Sequence, residues 1–491
     1  MEYEVVIGME IHFEIKTASK MFCSCANNPE EVIPNKNVCP ICAGHPGTLP
    51  TINKKAIENV IKAGLAVNCE IATFSKFDRK NYFYPDLPKG YQVTQYDLPL
   101  CKNGFLEVNG KKIRVNRIHM EEDTGKLVHP NGAGYSLVDL NRSSVPLAEL
   151  VTEADLRSST DAKDFCKQLQ QIIRAIGVSD GDMEKGHMRC EANISLRPVG
   201  REEFGTKVEV KNLNSFRAVE RAIEYEMKRQ AEVLNEGGKV VQETRGWNAD
   251  KQITFSQRLK EEANDYRYFP EPDLPPMDLT KEAGVFDVEA IRATLPELPL
   301  QKKYRLMNQC GLSEENAKIF SEDYDLADAF EETISELEAW VEAKDIDNGA
   351  IEKLTKLTAN YVLTELQKLM YASGTAVCDC KISRENFAEF ITLIYEGRVS
   401  SSGAQALLKE MFETGGDPSN ILDAKGLTQM TDESEIEKIV DTVIASNQKS
   451  VDDYKGGKEN ALKFLIGQVM KESKGQANPN MAEELLKKKL G

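Results

Sequence analysis

Four stretches of this chain alternate apolar and polar residues, and each puts a carboxylate on its polar side. In residues 3–15 the odd positions are apolar or aromatic, whereas Glu10, His12 and Glu14 share the even face. In residues 188–197, Met188, Cys190, Ala192, Ile194 and Leu196 face one way, and Arg189, Glu191, Asn193, Ser195 and Arg197 the other. His119 and Glu121 share a face by the same period, and residues 147–151 carry Glu149. Strand side chains alternate with period two, so each polar set lines one sheet face. Carboxylates about 4 Å apart repel by ~4 kcal/mol at an effective dielectric near 20, so converging acids imply a cation. Magnesium or manganese would suit them, completing its shell with water and substrate phosphate oxygens. Taken singly, each acid is equally well explained as a solvated or salt-bridged strand residue.

Other residues carry chemistry of a different kind. Cys23-Ser-Cys25 and Cys39-Pro-Ile-Cys42 are two close pairs, each able to grip one side of a tetrahedral zinc. Four thiolates would close the coordination sphere and make the site structural. The alternative is four unrelated thiols, and Cys378-Asp-Cys380 has no partner pair. Lys207-Val-Glu-Val-Lys211 puts both lysines on one strand face, followed by Asn212, Asn214 and Ser215 and then a helix. Free N–H groups at that helix start favour phosphate, although an ordinary strand-to-helix turn reads the same way. Phe77-Asp-Arg-Lys-Asn-Tyr-Phe-Tyr-Pro-Asp86 mixes bases, including Lys80, with aromatics. That composition suits stacking on nucleobases, or equally a tyrosine-rich strand edge. There is no P-loop and no Gly-x-Gly-x-x-Gly, so any nucleotide is held in another way. The serine pairs lack the setting of an amidase nucleophile, and nothing couples a Ser or Cys to one of the five histidines.

The elements that must position these residues follow from pattern. Residues 1–290 alternate short strands with turns and a few helices. Phe216, Val219, Ile223, Met227, Ala231 and Leu234 lie at helical spacing after a cap at Asn214 or Ser215, and Gly237-Gly238 ends the run. Residues 266–276 are proline-rich and extended, and Pro296 and Pro299 mark a boundary. Beyond it, residues 354–369, 387–394 and 462–470 show helical spacing, Gly475 stops one helix and Asn478-Pro479 starts the next. The 491 residues suffice for about three domains. No apolar run suggests a membrane span, the N-terminus resembles no signal, and 11 cysteines form no disulfide framework, so a cytoplasmic protein is expected. The net charge of −17 is concentrated: residues 313–350 hold 13 acids against Lys318 and Lys344, whereas residues 447–491 hold nine lysines and six acids. A locally basic tail on an acidic chain is compatible with RNA, and the acidic run reads as a solvated helical face.

Several ordered motifs carry a resemblance. Val6-Ile-Gly-Met-Glu-Ile-His12, Lys76-Phe-Asp-Arg-Lys-Asn-Tyr-Phe-Tyr-Pro-Asp86, His119-Met-Glu-Glu-Asp123, Ser136-Leu-Val-Asp-Leu-Asn-Arg142, Arg189-Cys-Glu-Ala-Asn193, Lys211-Asn-Leu-Asn-Ser-Phe216, Asp265-Tyr-Arg-Tyr-Phe-Pro-Glu-Pro-Asp273 and Lys471-Glu-Ser-Lys-Gly-Gln-Ala-Asn-Pro479 closely resemble the GatB-type component of the tRNA-dependent amidotransferases. The resemblance implies an α+β fold: an antiparallel-sheet cradle (1–293) with a kinase site and a zinc knuckle, an all-helical domain (294–410) and a small helical tail that contacts tRNA (411–491). It implies a heterotrimer, in which an amidase subunit and a small third subunit are the partners, acting on misacylated tRNA. In that scheme ATP phosphorylates the misacylated carboxylate of Glu-tRNA(Gln) or Asp-tRNA(Asn). Ammonia released from glutamine on the amidase then travels through a channel and displaces the phosphate.

By resemblance, Glu10, His12, Glu121, Glu149 and Glu191 are the magnesium or manganese ligands, with Glu122 a neighbour and Glu14 a solvated strand end. Lys80, Lys207 and Lys211, with Asn212 and Ser195, are expected to contact the phosphates. Cys23, Cys25, Cys39 and Cys42 are expected to hold structural zinc. Two departures stand out: many members have Asp at the position of Glu191, and others lack the four cysteines, which supports a structural role for the metal. Read from the residues alone, two rivals share these features. One is a two-metal nuclease or phosphatase working without ATP, and the other a non-catalytic zinc-stabilised tRNA-binding module.

Overall fold

The four acid-bearing stretches fold as four adjacent strands. The computed structural model describes residues 2–28, 30–259, 266–346, 349–430, 432–473 and 475–490. Asp265 and Lys474, members of two of the motifs above, lie outside the described residues. Seven strands matter for the site. In chain order they are β1 (Tyr3–Glu14), β2 (Asp78–Asn81), β3 (Tyr91–Thr94), β4 (Lys111–Glu122), β5 (Pro146–Thr152), β6 (Met188–Pro198) and β7 (Val208–Leu213). Their spatial order is β7-β6-β1-β5-β4-β3-β2 within a sheet of 12 strands. Every pairing in this path is antiparallel, whereas β7 pairs parallel with the strand Glu243–Asn248, which makes the whole sheet mixed.

Burial of one face sets the register. Ile7, Met9, Ile11 and Phe13 of β1, Ala148 and Leu150 of β5, and Cys190, Ala192 and Ile194 of β6 are fully buried in one core. Slipping any of these strands by one residue would turn that set to the polar side. Three helices cover the apolar face: α1 (Lys54–Ala66), α2 (Ser159–Ala175) and α3 (Phe216–Asn235). Asn53, Ser158 and Ser215 cap them, each side chain accepting a backbone N–H of the first turn. Ile57, Val60 and Ile61 of α1, Phe165, Leu169 and Ile173 of α2, and Val219 and Ile223 of α3 enter the same core. Each such side chain contributes roughly 1.5–3 kcal/mol when fully buried. The helices thus leave the opposite sheet face, the one with the acids, free for chemistry.

The chain divides into two compact units, Met1–Pro299 and Leu300–Gly491, so the break falls at the proline-marked boundary. The described part of the second unit is helical and holds two hydrophobic cores, one built from Leu306 to Leu422 and one from Ile436 to Leu490. The helix Ser401–Thr414 runs through position 410. The expected helical stretch at 354–369 begins in Gly349–Tyr361, passes through a π turn at Val362–Leu366 and continues in Gln367–Ser373. The acids of 313–350 lie mainly on the outer faces of Glu314–Glu322 and Tyr324–Ala343. Asn478 caps the last helix, Pro479–Leu490, by accepting the N–H groups of Asn480 and Met481.

Candidate functional site

Cross-strand pairing brings the acids together. Glu10 on β1 lies directly opposite Glu191 on β6, and His12 opposite Glu149 on β5. Glu149 in turn lies opposite His119 on β4, with Glu121 two residues further along that strand. The imidazole of His12 lies 3.2 Å from Glu149 and 3.4 Å from Glu121, and His119 lies 3.5 Å from Glu149. Three overlapping sets have donor atoms mutually within 4.8 Å: Glu10, His12 and Glu149; His119, Glu121 and Glu149; and Glu10, Glu191 and Glu209. A row of carboxylates and imidazoles therefore crosses five strands, from β4 to β7.

The charge on this row is only partly met by protein cations. Burial opposes the charged form of His12, but its hydrogen bonds to Glu121 and Glu149 outweigh that and raise it well above the ordinary histidine range. Burial also works against ionised Glu149 and Glu121, yet His119 and His12 for the first, and His12 and Lys80 for the second, hold both below the usual carboxylate range. Glu10 behaves oppositely: burial and repulsion from Glu149 and Glu191 push it up to about 7. Carboxylates in excess of their partners are donors for a hard divalent cation, and His12, held protonated by Glu121 and Glu149, can ligate one only after losing its proton. Asn193 Oδ1, two residues along β6 from Glu191, is a buried oxygen with no hydrogen-bond partner.

The titration of Glu10 has a measurable consequence. A divalent cation taken up at this row would displace this proton, and that of His12 where the imidazole is a ligand, so its affinity is expected to rise at least about tenfold from about pH 6 to about pH 8. Calorimetric titration checks this, and a flat profile would remove Glu10 from the ligand set. The stability sign follows too. The fold holds this proton more tightly than the unfolded chain does. The metal-free protein therefore loses stability as pH climbs from the ordinary carboxylate range through about 7.

The expected phosphate contacts are dispersed. Lys80 on β2 reaches the row: burial works against its charge, but Glu121, Tyr268 and Glu149 raise it far above its ordinary value. Its Nζ lies 5.2 Å from the Tyr266 ring and 6.0 Å from that of Tyr82, and it forms no ion pair among the described residues. Tyr96 stacks on Tyr268 at 4.1 Å, so an aromatic wall stands beside this lysine, with Phe83, Tyr84 and Tyr96 exposed. Lys211 is already engaged, 2.8 Å from Glu191 and 3.5 Å from Glu209. Lys207 is exposed and precedes β7. Asn212 is exposed too, with a φ of 61° at the bulge where the β6–β7 register shifts, a conformation asparagine tolerates better than most residues. Ser195 is buried opposite Val6, about 13 Å along β6 from Glu191.

Two acids differ from expectation. Glu122 turns from the row to pair with Lys89 and accepts the Val93 N–H at 2.9 Å. Glu14, expected as a solvated strand end, is only 7% exposed. The loop bearing Asp180 and His187, with Asn27, Asn28 and Glu30, walls it into a cavity with Lys16, and burial followed by repulsion from Asp123 pushes it up to about 8. His119 and Glu209 join the row although sequence reasoning did not select them. Both signals were present: His119 shares the face of Glu121, and Glu209 lies between the two lysines of its own strand face.

The cysteines converge as their spacing suggested. All four Sγ atoms lie within 4.8 Å of one another, and Cys39 and Cys42 are 3.9 Å apart, near the ~3.8 Å edge of a tetrahedron with Zn–S bonds of about 2.3 Å. The Cys39 N–H donates to Cys42 Sγ at 3.2 Å. The cluster fits a metal ion, and its all-sulfur donor set is compatible with zinc.

Two family models match the chain. The GatB/GatE catalytic domain matches residues 5–284, and the GatB domain residues 321–490. The chain belongs to the GatB family. The first match takes in every strand of the acid row and the cysteine cluster. The similarity extends over full length to curated relatives, each the B subunit of an aspartyl/glutamyl-tRNA(Asn/Gln) amidotransferase. That of Carboxydothermus hydrogenoformans is 50% identical, covering 100% of this chain and 99% of the relative. That of Thermoanaerobacter pseudethanolicus is 49% identical over the whole of both chains. Among the described residues, no helix is long and apolar enough to cross a membrane.

Proposed function

We propose that this GatB-family chain is the tRNA-binding, carboxylate-activating subunit of an ATP-dependent amidotransferase. It would convert Glu-tRNA(Gln) to Gln-tRNA(Gln), Asp-tRNA(Asn) to Asn-tRNA(Asn), or both. The observation that carries the site is the row Glu10, His12, Glu149, His119 and Glu121, with Glu191 and Glu209 at one end and Lys80 at the other. A divalent cation held by these donors would neutralise charge on the phosphates of ATP. The protein's own residues position and polarise. His12 and His119 hold Glu149 ionised, and Lys211 offsets Glu191 and Glu209. Lys80, outside every ion pair among the described residues, is the cation for a phosphate oxygen, and the tyrosines beside it offer a face for a nucleobase.

The nucleophile is the side-chain carboxylate of the misacylated aminoacyl group. Its oxygen forms a bond to the γ-phosphorus of ATP, ADP leaves, and the acyl phosphate then yields phosphate when ammonia attacks its carbonyl carbon. Ammonia is proposed to come from a partner, because no serine or cysteine of the sequence stands in the setting of an amidase nucleophile. An amidase subunit and a small third subunit are the proposed partners, in the cytoplasm. Zinc at the cysteines is proposed as structural, because four thiolates leave no open position.

The helical tail is proposed to bind tRNA. Lys449, Lys455, Lys463, Lys471 and Lys488 are exposed on its surface, outside the ion pairs that occupy Lys458, Lys487 and Lys489. Ending the chain after residue 429 removes the core built from Ile436 to Leu490. It should weaken tRNA binding while leaving ATP hydrolysis at saturating tRNA close to normal. Equal tRNA affinity with and without the tail would refute that role. The function itself is tested by incubating the chain and its partner subunits with misacylated tRNA, Mg²⁺ and labelled ATP. Phosphate release that requires the misacylated tRNA supports the proposal, and RNA cleavage without ATP would favour a metal-dependent nuclease instead.

A further inference from the structure

Lys20 has no exposed surface. Its ammonium donates to the Leu140 carbonyl oxygen at 3.1 Å and to Cys42 Sγ at 3.7 Å, and no carboxylate among the described residues forms an ion pair with it. Withdrawing an ammonium from water is costly unless an anion answers it. The anion at hand is sulfur. Four thiolates around one Zn²⁺ leave two negative charges, in a pocket where Cys23 and Cys42 are buried. The charged lysine and the charged cluster therefore each supply what the other lacks. The same loop is fastened to the cluster elsewhere: Ser143 Oγ donates to the Cys42 carbonyl oxygen at 3.1 Å, and the Met21 N–H to the Ser144 carbonyl oxygen at 2.7 Å.

We propose that Lys20 is the internal counter-ion of the tetracysteine metal centre, removing one of its two residual charges and anchoring Cys42 to the 140–144 loop. The proposal rests on the reading of the four cysteines as a metal site. A donor to a thiolate ligand draws density from the sulfur, so the ligand is protonated less readily and the metal leaves more slowly. Lys20 is a positioning residue, since it acts on the metal through Cys42.

The test uses the purified full-length chain. Zinc release to a chromogenic chelator gives the rate, and the sulfur-to-metal charge-transfer band of the Co²⁺-substituted protein reports on the thiolate. Lys20→Met and Lys20→Gln are expected to release zinc about 10- to 100-fold faster and to move the band to lower energy. Lys20→Arg, which keeps the charge, is expected to stay near the wild-type rate. Circular dichroism checks each variant for folding, and Lys20→Gln, which keeps an N–H donor, decides the matter if Lys20→Met does not fold. Unchanged release in Lys20→Gln overturns the proposal. So does faster release with an unmoved band, because that is loosened packing alone. A wild-type chain without stoichiometric zinc overturns it together with the reading of the cysteines.

Discussion

Glu149→Gln is expected to lower misacylated-tRNA-dependent ATP turnover by about 10³-fold, at the upper end of what one preorganised charge supplies. Glu149 belongs to two of the three donor sets and lies within 3.5 Å of both His12 and His119. Glutamine keeps its size and one acceptor oxygen for the imidazoles, so the strands should pair as before. What is lost is the negative charge that raises His12 and that a divalent cation would meet. The expected signature is a collapse of turnover with tRNA affinity nearly intact, read from steady-state phosphate release and filter binding. Full turnover in this variant would refute the role of the row.

Lys80→Met should cost about 10²- to 10³-fold in the same assay. Its effect should come with a weaker apparent affinity for ATP, which Glu149→Gln at saturating Mg²⁺ need not show. The methionine chain preserves an apolar stem of similar length but removes the cation that faces the Tyr82 and Tyr266 rings beside Glu121 and Glu149. Glu121 and Glu149 lose a cation that helps hold them ionised, so some loss of stability is expected beside the loss of turnover. Comparing thermal unfolding with kinetics separates the two. A variant that unfolds easily yet turns over normally would make Lys80 structural.

Much of this arrangement was legible in the sequence because alternation reports the face of each residue. The apolar positions of residues 3–15 and 188–197 entered the core as read, and the acids faced the other way. Alternation does not report which strands are neighbours. Glu10 meets Glu191 and His12 meets Glu149 across sequence separations that no local pattern encodes. Hence the convergence of the acids follows only from the family resemblance, and their mutual repulsion says only that converging acids need a cation. His119 and Glu209 stand on the right faces and escape selection for the same reason.

Glu14 misled because a strand end looks solvated unless one knows what covers it, here Asp180, Lys185 and His187 together with Asn27, Asn28 and Glu30. Lys20 carried no sequence signal at all. A lysine between serine and methionine in a turn reads as surface, and its burial follows from the way the cysteine loop and the 140–144 loop close over it. The helical character of the second unit was readable, since caps such as Asn478-Pro479 and i, i+3, i+4 spacing are local, whereas the expected break at 410 falls inside the helix Ser401–Thr414.

In the proposed mechanism the misacylated carboxylate itself attacks ATP. The most direct measurement uses tRNA charged with glutamate whose side-chain carboxylate carries ¹⁸O, turned over with the partner subunits, Mg²⁺, ATP and glutamine. An acyl phosphate releases one carboxylate oxygen with the phosphate when ammonia attacks, so the inorganic phosphate should contain one ¹⁸O per turnover. Amide product accompanied by unlabelled phosphate would contradict the claim.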